Sequence, residues 1–235
     1  MLSRDRQERF RQRYQELHPS WRPSTHVYEA LVASHLSASS RVLDLGCGRG
    51  GVTERLHQQA GLVVGIDPDW RSLREHREPS LALSCGLAGA LPYADAAFDV
   101  VCSSWVLEHL AEPGPVFRET ARVLTGGGHF VFLTPNARHP LLLLNRLLAR
   151  TGGRLVRRVY GRGEADVFPA YYRANSLARI ERLARQAGMR RISVRLVGDP
   201  TYLAWNEPFF RVACLLERGL PRGMRVHLIG EYVVL

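Results

Sequence analysis

VLDLGCGRGG at residues 42–51, followed by LVVGID at 62–67, decides the fold. RVLDLG (41–46) is a short apolar run that ends in glycines, the pattern of a buried strand entering a tight turn. GVTERLHQQA (51–60) then carries Val52, Leu56 and Ala60 at helical spacing, with Gly61 as a natural stop. LVVGID is a second buried strand. Outward from this unit the alternation continues. DWRSLREHR (69–77) starts a helix with Asp69 as cap, and SLALSC (80–85) and AFDVVCSS (97–104) read as strands. PVFRETARVL (115–124) is a helix opened by Pro115 and closed by the glycines at 126–128. HFVFLT (129–134) is a strand. NSLARIERLARQAG (175–188) is a helix with Asn175 as cap, Gly188 as stop, and Leu177, Ile180, Leu183 and Ala187 inward. RRISVRLVG (190–198) and VHLIGEYVVL (226–235) are strands. They flank a helix at 205–219 with an apolar stripe at Trp205, Phe209, Val212, Ala213 and Leu216. Strands alternating with helices predict an α/β fold: a mostly parallel sheet covered on both faces, in three layers.

Before the glycine turn, residues 1–36 read as two helices joined by HPSWRPS. Phe10, Tyr14 and Leu17 share one face of the first, and Ser24 and Thr25 are good N-caps for the second. The chain has 235 residues, of which 46% are apolar, enough for one packed domain with an added flap. No apolar run approaches the ~20 residues that span a bilayer, and MLSRDRQERF lacks a signal-like stretch, so a cytoplasmic protein is expected. Cys47, Cys85, Cys102 and Cys214 fit neither metal-ligand spacing nor a disulfide framework; they read as small buried hydrophobes, and no metal centre is expected. The net charge is +10, carried entirely by arginine. A basic surface attracts nucleic acid, anionic lipid or acidic substrates, but these arginines are scattered, with modest clusters at 4–13 and 154–162.

The loop chemistry is ambiguous alone. Gly46, Gly48 and Gly51 satisfy G-x-G-x-x-G, and Asp67 ends the next strand about twenty residues on, as in a dinucleotide site. Glycines there allow close backbone approach to a ligand, and the amides of the following helix start favour negative charge. Asp44 points elsewhere. A carboxylate two residues before the first glycine is unfavourable beside a pyrophosphate and suits a ligand carrying an ammonium group, as S-adenosylmethionine does. Asp67 serves either ligand, because a carboxylate accepts ribose hydroxyl hydrogens.

Four segments in order resemble class I (Rossmann-like) S-adenosylmethionine-dependent methyltransferases, in particular the ubiquinone- and menaquinone-pathway subgroup. They are VLDLGCGRGG, GIDPD (65–69), GALPYADAAFDVVCSSWVLEHL (89–110) and ETARVLTGGGHFVFLTPN (119–136). The resemblance covers about residues 40 to 200 and implies a seven-stranded sheet with an antiparallel last strand, filled by the terminal segment. It implies S-adenosylmethionine as cofactor, contacted by Asp44, Gly46, Cys47, Gly48 and Asp67. Pro68 would pack near the adenine, and Ser103 and Ser104 would line the methionine side or the acceptor pocket. Leu87 stands where the family usually has an acidic residue that meets the adenine amino group, so one hydrogen bond would be lost. The expected organisation is an N-terminal helical lid over 1–38 and a methyltransferase domain over 39–235, with an insertion at 136–173.

Methyl transfer from a sulfonium needs alignment and dryness more than a strong base. His109, in WVLEHL on the cofactor side of the sheet, is the first candidate for a base; Glu108 could orient an acceptor. Tyr171 and Tyr172, at the end of the insertion, could cap or hydrogen-bond the acceptor, and Tyr14 and Trp21 could belong to a lid over the cofactor. Within the insertion, Leu141, Leu144, Leu147 and Leu148 share a helical face, followed by arginines at 150, 154, 157, 158 and 162. Such a face can rest on an anionic membrane or cover a greasy acceptor, so a small or lipid-like molecule is the expected acceptor and peripheral membrane contact is expected through 139–163. Oxygen is the expected methylated atom on family grounds. Three rivals are weighed. A nucleic-acid methyltransferase fits the charge, but SSWV stands where N/D-P-P-Y/F is usual, and Cys102 lies inside a strand. A NAD-dependent oxidoreductase could use the same glycine loop. Lastly, a silent binding protein could keep the fold.

Overall fold

The computed structural model describes residues 4–144 and 168–235. Seven strands form one sheet: β1 Arg41–Leu45, β2 Leu62–Asp67, β3 Ala82–Cys85, β4 Phe98–Ser104, β5 Leu124–Pro135, β6 Met189–Val197 and β7 His227–Val234. Their order is β3-β2-β1-β4-β5-β7-β6. Neighbours pair in parallel except β7, which runs antiparallel to both β5 and β6. The expected α/β sheet and its antiparallel last strand are both present.

Side-chain alternation splits the core in two. On one face Leu43, Leu45, Val101, Phe130, Phe132 and Tyr232 pack under α5 (Pro113–Val123) and α6 (Leu177–Gln186), which contribute Phe117, Val123, Ile180 and Leu183. On the other, Val42, Val63, Val100, Val131 and Ile229 pack under α2 (Ser24–Ala33) and the short α3 (Val52–Leu56). Tyr28, Leu31 and Val32 anchor α2 there. The expected lid over 1–38 is corrected accordingly: α2 is a core-layer helix. Only α1 (Arg4–Leu17) lies outside the two layers.

Tyr14 of α1 joins Ala204 and Phe210 in a small separate cluster. Phe10 stacks on Phe210 at 4.7 Å, and Trp21 meets Tyr14 edge-on at 5.0 Å while its indole donates to the Gly198 carbonyl. These contacts place Tyr14 and Trp21 beyond β6 and against α7 (Glu207–Gly219), at the edge of the sheet opposite β2 and β3. They do not lie over the glycine loop.

Several local expectations change for physical reasons. Pro23, not Ser24 or Thr25, occupies the N-cap of α2, and no side chain caps it. The α4 helix is only Trp70–Arg74, capped as expected by Asp69, which accepts from the Arg71 and Ser72 amides. α5 begins at Pro113, and β5 takes over at Leu124, so the glycines lie within the strand, where its register against β4 shifts. Asn175 does not cap α6: its amide donates to Thr134 Oγ1 and the Pro135 carbonyl, clamping the helix to the end of β5. Gly188 stops α6 with φ +80°, as expected. Gly61 is no left-handed stop; a Cβ there would sit 2.6 Å from the Ala38 carbonyl, so close packing requires it. α7 buries Phe210, Ala213 and Glu217 and exposes Phe209, Val212, Leu215 and Leu216, so the expected stripe is rotated outward. Cys85 is exposed at the end of β3, unlike the buried Cys47 and Cys102.

Candidate functional site

The first half of the site lies at the carboxyl ends of β1 and β2. β1 feeds a loop with Gly46 at φ +78° and Gly48 at φ +50°, conformations that cost an L-residue about 1–2 kcal/mol each. A Cβ on Gly46 would lie 2.2 Å from a Val106 methyl, so the loop also needs glycine for its approach to the segment after β4. Its amides are already used. Gly46 and Cys47 both donate to the Ile66 carbonyl, Gly50 donates to the Cys47 carbonyl, and Gly48 donates to Asp67 Oδ2 at 3.0 Å. The anion-attracting helix start expected after the loop is not built: α3 has five residues, and the loop turns its hydrogen-bonding power onto its own chain and a carboxylate.

Two carboxylates face this crevice. Asp44, on β1, is buried and accepts a hydrogen bond from the Thr53 hydroxyl of α3. Burial, and then the nearby Asp67 charge, push it up to about 6, against the pull of Thr53. Asp67 accepts from the Gly48 and Asp69 amides, and burial raises it too. The chain holds 32 arginines, yet among the described residues none forms an ion pair with Asp44 or Asp67. A buried acid without a cation is costly alone and becomes favourable when a ligand brings the cation. An α-ammonium fits Asp44, and ribose hydroxyls fit the remaining lone pairs of Asp67. A diphosphate would meet two carboxylates and no free loop amide.

Neighbouring residues shape the crevice. The Cys47 side chain is buried against Gly65, where a Cβ would lie 2.8 Å from its sulfur, so only the Cys47 backbone is free to border a ligand. Gly86 donates to the Asp67 carbonyl, which brings the exit of β3 beside that of β2. Pro68, Trp70 and Leu87 are exposed there, with Leu87 at 66%, and form an apolar rim next to Asp67. Leu87 thus offers surface, not a hydrogen bond.

The second half lies at the carboxyl ends of β4 and β5. Ser103 is fully buried, and its hydroxyl donates to the Leu45 carbonyl, tying the end of β1 to that of β4; Ser104 is half-buried. Trp105 follows in a left-handed conformation, φ +61°. Such a strained aromatic needs a surrounding structure that holds it, a common mark of functional segments. A short 3-10 turn, Leu107–His109, comes next. Glu108 is buried, not solvated as expected: Thr134 donates to its carboxylate, and its carbonyl accepts from the Tyr171 and Tyr172 amides. His109, Tyr171 and Tyr172 are therefore brought together. The His109 Nδ1 lies 3.0 Å from the Pro169 carbonyl. A carbonyl only accepts, so Nδ1 carries the proton of the neutral ring and Nε2 keeps its lone pair. Glu108 Oε1 is 4.0 Å from that Nε2, placed to balance a positive imidazole.

Sequence reasoning missed a further wall. His227, at the start of β7, is buried, and its Nε2 lies 2.8 Å from the Tyr202 hydroxyl. Burial drives its pKa down to about 4, helped by Arg11 and His139 and opposed by Asp199, so the ring is neutral through the physiological range. Trp105 meets it edge-on at 5.0 Å. His139 is buried nearby with a lowered pKa and accepts from the Leu141 amide. These residues come from four separate elements, and no spacing in the sequence joins them. The insertion is described only in part: 140–144 are helical and Leu143 and Leu144 are half exposed, while Leu147, Leu148 and the arginines at 150, 154, 157, 158 and 162 lie outside the described residues.

Comparison with known proteins agrees with this geometry. Residues 43–132 match the profile of a methyltransferase domain. The chain is 32% identical over 166 residues to a ubiquinone biosynthesis O-methyltransferase of Methylococcus capsulatus, covering 67% of each protein. It is 36% identical over 112 residues to a probable S-adenosylmethionine-dependent methyltransferase of Mycolicibacterium smegmatis, covering 47% of this chain and 43% of that one. The chain thus spans from under half to about two thirds of the length of these curated relatives. Among solved structures, a geranyl diphosphate methyltransferase in complex with S-adenosylmethionine superposes with a TM-score of 0.60 at 14% identity, over 89% of this chain and 85% of that one. The [4+2]-cyclase SpnF does so with 0.60 at 18%, over 91% and 86%. A cyclase on this fold shows that the fold alone does not fix the reaction. Motifs, sheet order and curated relatives together show that the chain belongs to the class I S-adenosylmethionine-dependent methyltransferases.

Proposed function

We propose that this chain transfers the methyl group of S-adenosylmethionine to a hydroxyl of a small or lipid-like acceptor bound over the ends of β4 and β5. The buried Asp44–Asp67 pair carries this reading: two uncompensated carboxylates beneath a left-handed glycine loop suit a cationic nucleoside ligand. Asp44 holds the ammonium, Asp67 the ribose, and Pro68 and Leu87 border the adenine. The bound cofactor supplies a sulfonium methyl as electrophile. The protein aligns the acceptor oxygen and excludes water from it, which supplies roughly 7–11 kcal/mol of a methyl-transfer barrier.

His109 Nε2 takes the hydroxyl proton, Glu108 balances the resulting charge, and Tyr171 and Tyr172 close over the acceptor. Tyr202 and the neutral His227, with Trp105, form the opposite wall. An O-methyltransferase role draws on the ubiquinone biosynthesis relatives. A lipid-like acceptor draws on the leucines that begin the insertion. No described helix is long and apolar enough to cross a membrane, so any bilayer contact is peripheral in this reading.

Calorimetric titration with S-adenosylhomocysteine and NAD, followed by methyl transfer from labelled S-adenosylmethionine to a catechol and to a catechol bearing an isoprenoid tail, tests the reading. Binding of the first ligand only and labelling of either catechol support it. Indifference to S-adenosylhomocysteine at millimolar concentration would falsify it. Labelling of RNA instead of the catechols overturns the acceptor.

A further inference from the structure

The opposite end of the sheet holds a second cluster of chemistry-bearing side chains, unrelated to the methyl-transfer site. His35 follows the C-cap of α2, His129 lies near the start of the parallel run of β5, and Glu231 lies on β7, where it registers with Val131 and with Ser193 of β6. All three belong to the face covered by α2. Glu231 Oε1 is 3.0 Å from His35 Nε2 and 3.1 Å from His129 Nδ1. The two imidazoles stack at 3.9 Å between centroids, 25° apart. One ligand-type atom from each residue lies within 4.8 Å of the others.

We propose that His35, His129 and Glu231 form a binding site for a divalent transition-metal ion of the zinc class. Ligand type supports this: two imidazoles and one carboxylate are a zinc donor set, with water available as fourth ligand. Spacing supports it as well. Bonds of ~2.0–2.1 Å at a tetrahedral centre place neighbouring donors roughly 3.3 Å apart, within a few tenths of the two nitrogen–oxygen distances. The decisive detail is His35. Its Nε2 is buried and, despite the carboxylate oxygen 3.0 Å away, makes no hydrogen bond of acceptable geometry. A hydrogen-bonded trio would leave that nitrogen wasted at the usual cost of a buried polar atom. A shared ion uses it. Glu231 is also held as a ligand should be: its other oxygen, Oε2, accepts from the Ser193 hydroxyl at 2.9 Å. Access is present, because the His35 and His129 side chains keep 19% and 27% of their surface open while Glu231 is buried. The three positions, 35, 129 and 231, are too scattered for any sequence spacing to suggest a ligand set, which is why no metal was expected.

The test uses the full, tag-free chain stripped with chelator. Titration with Co²⁺ should give one equivalent with the visible bands of a tetrahedral nitrogen–oxygen site, and Zn²⁺ should displace it and raise Tm. Glu231→Gln keeps an acceptor for His129 but loses the charge, and should weaken Co²⁺ binding at least tenfold. His35→Gln should do the same, with circular dichroism confirming the fold. S-adenosylhomocysteine affinity should not change in either variant, which separates this site from the cofactor crevice. Absence of a stoichiometric Co²⁺ spectrum in the wild-type chain, or equal binding by folded variants lacking His35 or the Glu231 charge, overturns the proposal.

Discussion

The two halves of the candidate methyl-transfer site are built by different means. The β1–β2 half is a backbone device: three consecutive turns of chain place Gly46, Gly48, Asp44 and Asp67 within one crevice, and nearly all its residues lie between 41 and 70. The β4–β5 half is a side-chain device. Trp105, His109, Tyr171, Tyr202 and His227 converge from segments more than a hundred residues apart. A backbone device tolerates little variation, because φ and close approach are fixed by the fold. A side-chain device can be rebuilt around a new acceptor without disturbing the sheet. The binding of a shared cofactor belongs to the first and acceptor choice to the second.

Substitutions that separate the halves test this contrast most strongly. His109→Gln should lower kcat by about 100-fold or more, the usual worth of a positioned base, and leave cofactor Kd unchanged. Asp44→Asn should do the reverse. It should raise cofactor Kd by about 100-fold, close to 3 kcal/mol, because it removes the charge that meets the ammonium. The same change should leave Tm equal or higher: burial makes the ionised Asp44 costly in the free protein. If Asp44→Asn instead lowered kcat at saturating cofactor, the division between halves would fail. Within the backbone half the two glycines should differ. Gly46→Ala combines a left-handed φ with a 2.2 Å approach to Val106 and should cost about 3 kcal/mol in thermal unfolding. Gly48→Ala meets nothing nearer than the Asp67 carboxylate at 3.9 Å and should cost about 1 kcal/mol.

This contrast also accounts for what the sequence could show. Sheet class, strand positions and the Asp44–Asp67 crevice were legible because period-two burial and glycine turns are local patterns. Element ends were less so. Asn175 looks like a cap from its neighbours alone, but Thr134 and the Pro135 carbonyl, forty residues away, claim its amide. The α7 stripe was misjudged for a similar reason: Phe210 turns inward because Phe10 and Tyr14 of α1 are there to receive it. Tyr202 and His227 escaped notice because each is unremarkable alone, and only the antiparallel turn of β7 brings His227 back beside the end of β5.

The cofactor half should also respond to pH. Asp44 has its pKa raised to about 6 in the free protein, and an ammonium ligand favours its ionised form. Above that value the acid is already charged, and affinity should be flat. Below it, binding must first remove a proton, so Kd for S-adenosylhomocysteine should rise about tenfold per pH unit. Stability should move oppositely. The folded chain holds this proton more tightly than the unfolded one, so the Asp44 contribution declines as pH rises from the unfolded carboxylate range toward 6, and protonation at lower pH restores it. Calorimetric Kd values from pH 4.5 to 8 check the first expectation, and a flat curve would detach Asp44 from the ligand.

The smallest expected effect belongs to the acceptor wall. Tyr202→Phe removes the hydroxyl 2.8 Å from His227 Nε2 and leaves a buried imidazole with neither nitrogen bonded, since Nδ1 already lacks a partner. One such bond is worth about 1 kcal/mol, so kcat/KM for the acceptor should fall about fivefold. Cofactor Kd should stay within error, because no residue of the β1–β2 crevice touches this wall. The His227 ring stays neutral across the assay range, so the pH profile of kcat should keep its shape in the variant and change only in height. A shifted profile would move the acid–base role from His109 to the Tyr202–His227 pair and place the chemistry on the strand that sequence reading passed over.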